Sequence, residues 1–527
     1  MMEQTNYAGR IVNQPPEAPD TEAVRAPVAR SSWGRADFIA LFLILVVATA
    51  FRFASLGDPP EMIFDEVYYA KDSCAYVLND PEICEVDGSQ AEVHPPVGKW
   101  LIGMGIKAFG FDSFGWRVAP AVGGVLTVLV MYLLARRLFG SWLWATIAAG
   151  LLAFDPLHFV QSRTSMLDIF LPMFGLAAVL FLLIDRDRAL LATRSGDPPS
   201  RILGRPWLIA SGATAGLAVA TKWTGGFYLA LIILLALAWA ASREQGSRPQ
   251  AWWAALRSEA PAIVLWLIVL PVLVYVLSYT GQIGGKLIAL PWSEGSWGRA
   301  FFDHHKYMWD FHTNLEATHG YQSAPHTWML IKRPVSYFFC AGASCKPPIA
   351  DGDYQEIFAV GSPLVWWTSI IAMLGVGATW VRRRDPLNPA GLILAGFVLT
   401  YGPWLLPGAS RSAVFLFYLL PTVPFMILAL VFWMHRIGET WEGRAATALF
   451  SAGALAMFAF YYPLLTKKSL PQPDWQKRIW IFDNCDKPPG PIVTSTVTST
   501  ASDGTIETSL TETEDNSSLP PTGWCWI

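Results

Sequence analysis

Two neighbouring acids open the run Asp65-Glu66-Val67-Tyr68-Tyr69-Ala70-Lys71, soon after the first apolar stretch of the chain ends. A carboxylate at that level stays ionised at modest cost, because water and not hydrocarbon surrounds it. Partly desolvated, one of the pair could take the proton from an alcohol as it attacks, while the other orients the reactants. Four cations are expected at the same level: Arg117 opening the second span, Arg163 in the turn between the third and fourth, Lys222 ending the fifth and Arg411 opening the tenth. Singly, each would be an ordinary helix-end residue that snorkels to the interface. Together, beside two acids, they suit a phosphate, which they would hold in the ground state and stabilise as it leaves.

Further polar residues surround this set. Asp155 is expected to pair with Arg163 across their short turn, and Asp168 falls far enough into the next helix that an unpaired charge there would be costly. The run His94-Pro95-Pro96-Val97-Gly98-Lys99 shares the loop of the acid pair, and His304, His305, His312 and His319 lie in a later polar stretch. Imidazoles are good zinc ligands, but the seven-residue interval from His312 to His319 is not that of a helical zinc pair. No carboxylate or cysteine completes a standard set, so no metal is expected. These histidines read instead as donors to a phosphate or to an acceptor backbone.

The elements that must position these groups are membrane helices. Of the 527 residues, 53% are hydrophobic and 15% charged, and apolar stretches of spanning length recur along most of the chain. A net charge of −3, with basic residues in short clusters, excludes a nucleic-acid partner. Arg25, Arg30 and Arg35 precede the first span, which runs from Ala36 to Leu56 and carries no cleavage site, so residues 1–35 read as a disordered cytoplasmic leader. The basic clusters at Arg136-Arg137, Arg186 to Arg205, Arg243 to Arg257, Arg382-Arg383-Arg384 and His435 to Arg444 fall on the same inner side when about eleven helices are counted.

That assignment puts the first outer loop (57–115), a large loop (281–362) and the tail (468–527) outside, with membrane modules at 36–280 and 363–467. The cysteines agree: Cys74 with Cys84, Cys340 with Cys345 and Cys485 with Cys525 are the simplest local pairs, all on the oxidising side. Pro95 to Phe109 has the helical spacing of an amphipathic helix lying in the interface, beside the acids. The Ser- and Thr-rich stretch from Val493 to Ser518, with acids and no aromatics, reads as disordered.

The ordered set now assembled, Asp65-Glu66 with Tyr69, His94-Pro95-Pro96-x-Gly98-Lys99, Arg117, Arg163-x-x-x-Leu167-Asp168, Thr221-Lys222-Trp223-x-Gly225, His312-x-x-Leu315-x-x-x-His319-x-Tyr321-x-Ser323, Arg333-Pro334-Val335 and Arg411 ahead of Phe417-Tyr418-x-x-Pro421, resembles the protein O-mannosyltransferases, in the style of the actinobacterial enzymes. The resemblance covers Ala36 to Lys468. It implies an all-α polytopic protein of the GT-C glycosyltransferase superfamily, with outer interfacial helices and a large extracytoplasmic loop, in the plasma membrane. It also implies inverting transfer of mannose from polyprenyl-phosphate-mannose to Ser or Thr of secreted proteins, without a cofactor; the secretion channel is a candidate partner on which the sequence does not decide. Asp65 would be the base and Glu66 the acceptor or sugar contact; Arg117, Arg163, Lys222 and Arg411 would bind the donor phosphate, with His94, Lys99, His312 and His319 as further donor or acceptor contacts. The large loop is too short for the β-trefoil module of the eukaryotic enzymes, and the tail is outside the family pattern. Another lipid-carrier-dependent GT-C enzyme, an arabinosyl- or aminoarabinosyltransferase, is the nearest alternative. A transporter fits less well, since the charges gather at helix ends and not at the bilayer midplane.

Overall fold

A computed structural model describes residues 32–78, 80, 82–85, 93–195, 202–244, 246–279, 297–315, 319–406, 413–479, 492–500 and 506–514. Most of the leader, Arg411, Cys485 and Cys525 lie outside the described residues. The first span is α1 (Arg35–Phe53); α2 (Glu66–Val77) and α3 (Val97–Phe109) follow in the first loop. Next come α4 (Ser113–Phe139), α5 (Trp142–Ala153), the short α6 (Pro156–Gln161), α7 (Phe170–Ser195), α8 (Pro206–Val219) and α9 (Gly226–Ala241). One long span is made of α10 (Arg248–Ile263), a π-helical stretch and α11 (Leu270–Leu277); beyond it lies α12 (Trp297–Asn314). The C-terminal half holds α13 (Pro363–Arg383), α14 (Pro389–Tyr401), α15 (Val423–Ile437), α16 (Trp441–Leu465) and α17 (Gln472–Gln476).

Among the described residues six helical stretches are long and apolar enough to cross a membrane, and four shorter apolar helices accompany them. To these α7 adds an apolar run from Phe170 to Ile184, ended by the charged residues Asp185 to Arg188. The two buried arginines of α4 give the bundle its scale. Arg117 near its start pairs with Glu66, and Arg136 near its end pairs with Asp37 at the start of α1. Nineteen residues of helix separate them, which is ~28 Å of rise, about the thickness of a hydrocarbon core. The basic residues expected on the inner side gather at the Arg136 end, where Arg137 meets Asp187 at 2.6 Å, and Arg205 bridges Asp185 and Glu259.

At the opposite end, α3 is the helix expected from Pro95 to Phe109, beginning just after the two prolines, with Pro96 as its N-cap. It packs on α2 so closely that a Cβ at Gly103 would lie 2.6 Å from Val77 Cγ1. The turn into α4 needs glycine as well: Gly110 has φ +102°, and a Cβ on Gly115 would meet its carbonyl oxygen at 1.9 Å. Cys74–Cys84 and Cys340–Cys345 are disulfide-bonded, as their spacing suggested.

The all-α expectation needs one addition. Strand β1 (Val335–Ala341) pairs antiparallel with β2 (Asp353–Ala359), and β2 with the two-residue β3 (Leu470–Pro471), so the large loop and the start of the tail share one small sheet. The tail departs from expectation too: β4 (Ile492–Thr500) and β5 (Ile506–Glu514) form an antiparallel hairpin where disorder was expected. Its Thr, Val and Ile residues are β-branched and favour extended backbone even without an aromatic residue.

Glu356 on β2 is wholly buried; it accepts the Trp475 indole N–H at 2.8 Å, tying α17 to the sheet. Burial raises its pKa from the ordinary 4.5 to about 8. Below pH 4.5 folded and unfolded chains both carry the proton; as pH rises toward 8 only the unfolded chain releases it, so the fold loses stability across that window. Glu356→Gln is expected to remove this slope, worth on the order of a few kcal/mol, from thermal melts of the lipid-reconstituted protein between pH 5 and pH 8. Parallel slopes for parent and variant would refute the assignment.

Candidate active site

The segment from Ala54 to Phe64, which delivers the acid pair, lies between two helices and is held by two guanidinium groups. Arg163 donates to the carbonyls of Phe51, Arg52, Ala54 and Ser55 at 2.7–3.2 Å, closing the C-terminal end of α1, where the helix leaves its acceptors unpaired. Arg117 donates to the carbonyls of Leu56, Pro59 and Glu61 and, through Nε and Nη2, to both oxygens of Glu66 at 2.8 and 2.7 Å. Glu66 is fully buried and also accepts the backbone N–H groups of Ile63 and Ser165.

This corrects three expectations. Every N–H of Arg117 meets a protein acceptor, so it has none to spare for a carrier phosphate. Arg163 directs both of its Nη groups at carbonyls, so its described contacts serve the end of α1. Glu66, with four hydrogen bonds to its carboxylate, is a clamp and not a reactant contact. The expected Asp155–Arg163 pair is also absent: Asp155 caps α6 through the His158 N–H and accepts the Trp366 indole N–H at 2.8 Å. Lys99, expected at the donor, is buried against Asp72 at 2.7 Å and joins α3 to α2.

Asp65 differs from its neighbour. It is the N-cap residue of α2, half-buried, and its carboxylate makes no capping bond to the helix. Phe64 just before it has φ +47°, a left-handed conformation that a bulky residue adopts only when its surroundings impose it. Those surroundings are aromatic: Phe64 stacks on Tyr337 of β1 with ring centres 4.6 Å apart and meets Phe415, Phe417 and His319 edge-on. The Tyr337 hydroxyl accepts the Gln161 amide at 2.6 Å. Burial first, then the charges of Asp168 and Asp65, raise its pKa well above the ordinary value.

Asp168 is paired. Both its oxygens accept from Lys222 Nζ, at 2.9 and 3.1 Å, and that ammonium also sits 4.5 Å from the centre of the Tyr418 ring. Together with Thr224, Thr400, Trp404 and Pro421 they line a cavity between α7, α14 and the turn before α15. The histidines divide into two places. His94 and His312 lie ring to ring at 5.2 Å beside Trp223, next in sequence to Lys222, and His312 Nε2 donates to the Val93 carbonyl. His319 stands apart, against Phe64 and Phe415, with Nδ1 accepting the Tyr321 N–H. No cluster able to hold a metal ion occurs among the described residues.

Sequence reasoning missed Tyr337, Gln161, Ser165 and Asp72. Nothing in their spacing singled them out, since each meets its partner only through the packing of distant helices. Removing the clamp should unfold the loop: Glu66→Ala, which leaves Arg117 buried without its partner charge, is expected to cost about 3–5 kcal/mol, read as a lower melting temperature in detergent. A variant that melts like the parent would show that the pair does not hold the segment.

Residues 42–283 match the family described as dolichyl-phosphate-mannose-protein mannosyltransferase, and residues 298–483 match the C-terminal four-TMM region of protein-O-mannosyltransferase. The polyprenol-phosphate-mannose–protein mannosyltransferase of Mycolicibacterium smegmatis is 31% identical over 490 residues, with 83% of this chain and 91% of that protein covered. For that of Mycobacterium tuberculosis the identity is 30% over 485 residues, with coverage of 83% and 90%. Among solved structures, the Saccharomyces cerevisiae protein O-mannosyltransferase complex bound to the sugar donor is alike in fold, with a TM-score of 0.66 at 16% identity over 86% of this chain and 93% of that one. The bundle therefore has the GT-C fold, and the chain belongs to the protein O-mannosyltransferase family.

Proposed function

We propose that this protein transfers mannose from a polyprenyl-phosphate carrier to Ser or Thr hydroxyls of exported proteins, on the outer face of the plasma membrane and with inversion at the sugar. The observation that carries this reading is the contrast within the acid pair: Glu66 is saturated by four hydrogen bonds, while Asp65 stands at the helix start on a segment clamped by two arginines. One positioned base suits direct displacement, the carboxylate of Asp168 being engaged by Lys222.

In that displacement the acceptor hydroxyl oxygen bonds to the anomeric carbon, the bond from that carbon to the carrier phosphate oxygen breaks, and its electron pair leaves with the polyprenyl phosphate. The hydroxyl proton passes to Asp65. Lys222 is the described cation best placed for the carrier phosphate, since it borders a cavity and its partner Asp168 shares that lining. Arg411 is proposed to join it. Trp223, His94 and His312 form an aromatic wall beside Lys222 for the carrier or acceptor, and His319 is assigned to the acceptor side by its contact with Phe64.

Asp65→Asn is expected to lower turnover about 100- to 10,000-fold, with donor affinity and melting temperature unchanged, in an assay of polyprenyl-phosphate-mannose with a Thr-rich peptide. A variant that keeps most of its activity would move the base elsewhere, and transfer of another sugar with none of mannose would defeat the whole reading. Lys222→Met and Arg411→Ala should instead weaken donor binding, each by roughly tenfold or more, about the worth of a charge-assisted hydrogen bond. Normal donor affinity in either would remove that residue from the phosphate site.

A further inference from the structure

The chain continues past its last membrane helix into a segment unlike the rest of the protein. From Val493 to Ser518, 14 of 26 residues are Ser or Thr, a density that no other stretch of the sequence approaches. Within it, β4 carries six hydroxyl residues in nine and β5 four in nine. They occupy consecutive positions, such as Thr494, Ser495 and Thr496, so neither alternating set of residues is apolar. A two-stranded ribbon of that pattern has no apolar face to bury and is marginal by itself in water. It opens readily into the extended segment that an acceptor must present.

The route of the chain brings this segment to the catalytic end. After α16, Lys467 forms an ion pair with Asp58 at 3.2 Å, and its backbone N–H donates to the Glu356 carbonyl. Leu470 and Pro471 then pair with β2, and Trp475 docks on Glu356. Asp58 precedes Pro59, whose carbonyl takes Arg117, the same guanidinium that holds Glu66 next to Asp65. The tail therefore leaves the fold on the side of the acid pair. Thr494 follows Ile479 by 15 residues, a contour of at most ~50 Å. Covalent connection over that contour makes its hydroxyls intramolecular to the site, so they do not depend on encounter from solution.

We propose that the Ser and Thr residues of β4 and β5 are acceptors for the protein's own transfer reaction, so that the chain is mannosylated on its own tail; this rests on the mannosyl transfer proposed above. The step is the same displacement: a Thr or Ser oxygen of the tail bonds to the anomeric carbon, polyprenyl phosphate departs with the electron pair, and Asp65 takes the hydroxyl proton. The acidic residues Glu507, Glu512 and Glu514 leave the segment soluble after modification as before it.

The test uses the full chain, purified from a host without protein O-mannosylation and reconstituted with polyprenyl-phosphate-mannose, a Thr-rich peptide being present as a second acceptor. Peptide mapping by mass spectrometry should find hexose on at least one hydroxyl residue between Thr494 and Thr513, and none in Asp65→Asn. A variant with those residues replaced by Ala and Val should keep its transfer to the peptide while losing the tail signal. A tail without hexose while the peptide accepts mannose overturns this proposal and leaves the proposed function standing. Hexose on the tail of Asp65→Asn equally overturns it, and failure of both acceptors would remove the proposal together with the function on which it rests.

Discussion

The buried ion pair between Glu66 and Arg117 organises the catalytic end of the molecule. A carboxylate and a guanidinium removed from water each carry a solvation cost of several kcal/mol, which is offset only if every remaining hydrogen-bonding position is satisfied. Here it is: the acid takes two N–H groups besides the guanidinium, and the guanidinium takes three carbonyls besides the acid. Because the pair and its partners come from the connection between α1 and α2, the start of α2, the segment before α7 and the start of α4, it can form only when four pieces of chain arrive together. It then fixes the loop on which Asp65 is carried, and an error of even an ångström there would misplace a base.

The same logic repeats along the bundle. Arg163 satisfies the open carbonyls at the end of α1, Lys99 and Asp72 join α3 to α2, and Arg136 with Asp37 anchors the other end of α4. Buried charges in a membrane protein are costly alone, and these are matched at helix ends, where the cost is smallest. The residues proposed for chemistry are set apart from this scaffold by their position. Asp65 stands at a strained turn, and Lys222 borders a cavity between helices.

An aromatic cluster supplies the remaining constraint. Phe64, Tyr337, Phe415 and Phe417 come from the first loop, the sheet and the turn before α15, and their stacked and edge-on contacts hold Phe64 in a conformation that its own backbone disfavours. The small sheet therefore reaches Phe64, the residue before the acid, through Tyr337. It also directs the tail: β3 pairs with β2, so the chain leaves next to the site and not at a random point of the surface.

The sequence by itself determined the membrane class, the helix after Pro95-Pro96, two disulfides, the family and the acid pair as the place to look. These are legible because apolar span length, helical spacing, cysteine proximity and short motifs are local properties of the chain. The tertiary structure alone decided which charged residues are spent on the fold. Arg117, Arg163, Lys99 and Glu66 carry the same residue types at the same membrane level as Asp65 and Lys222, and type and level were all that the sequence could offer. Whether a guanidinium faces a carbonyl or a cavity depends on which distant helices pack against it, and Ser165, Asp72 and Tyr337 reach their partners from far along the chain. Hydrogen-bond satisfaction is a property of the assembled interior, so the division between clamp and chemistry came into view only with the fold.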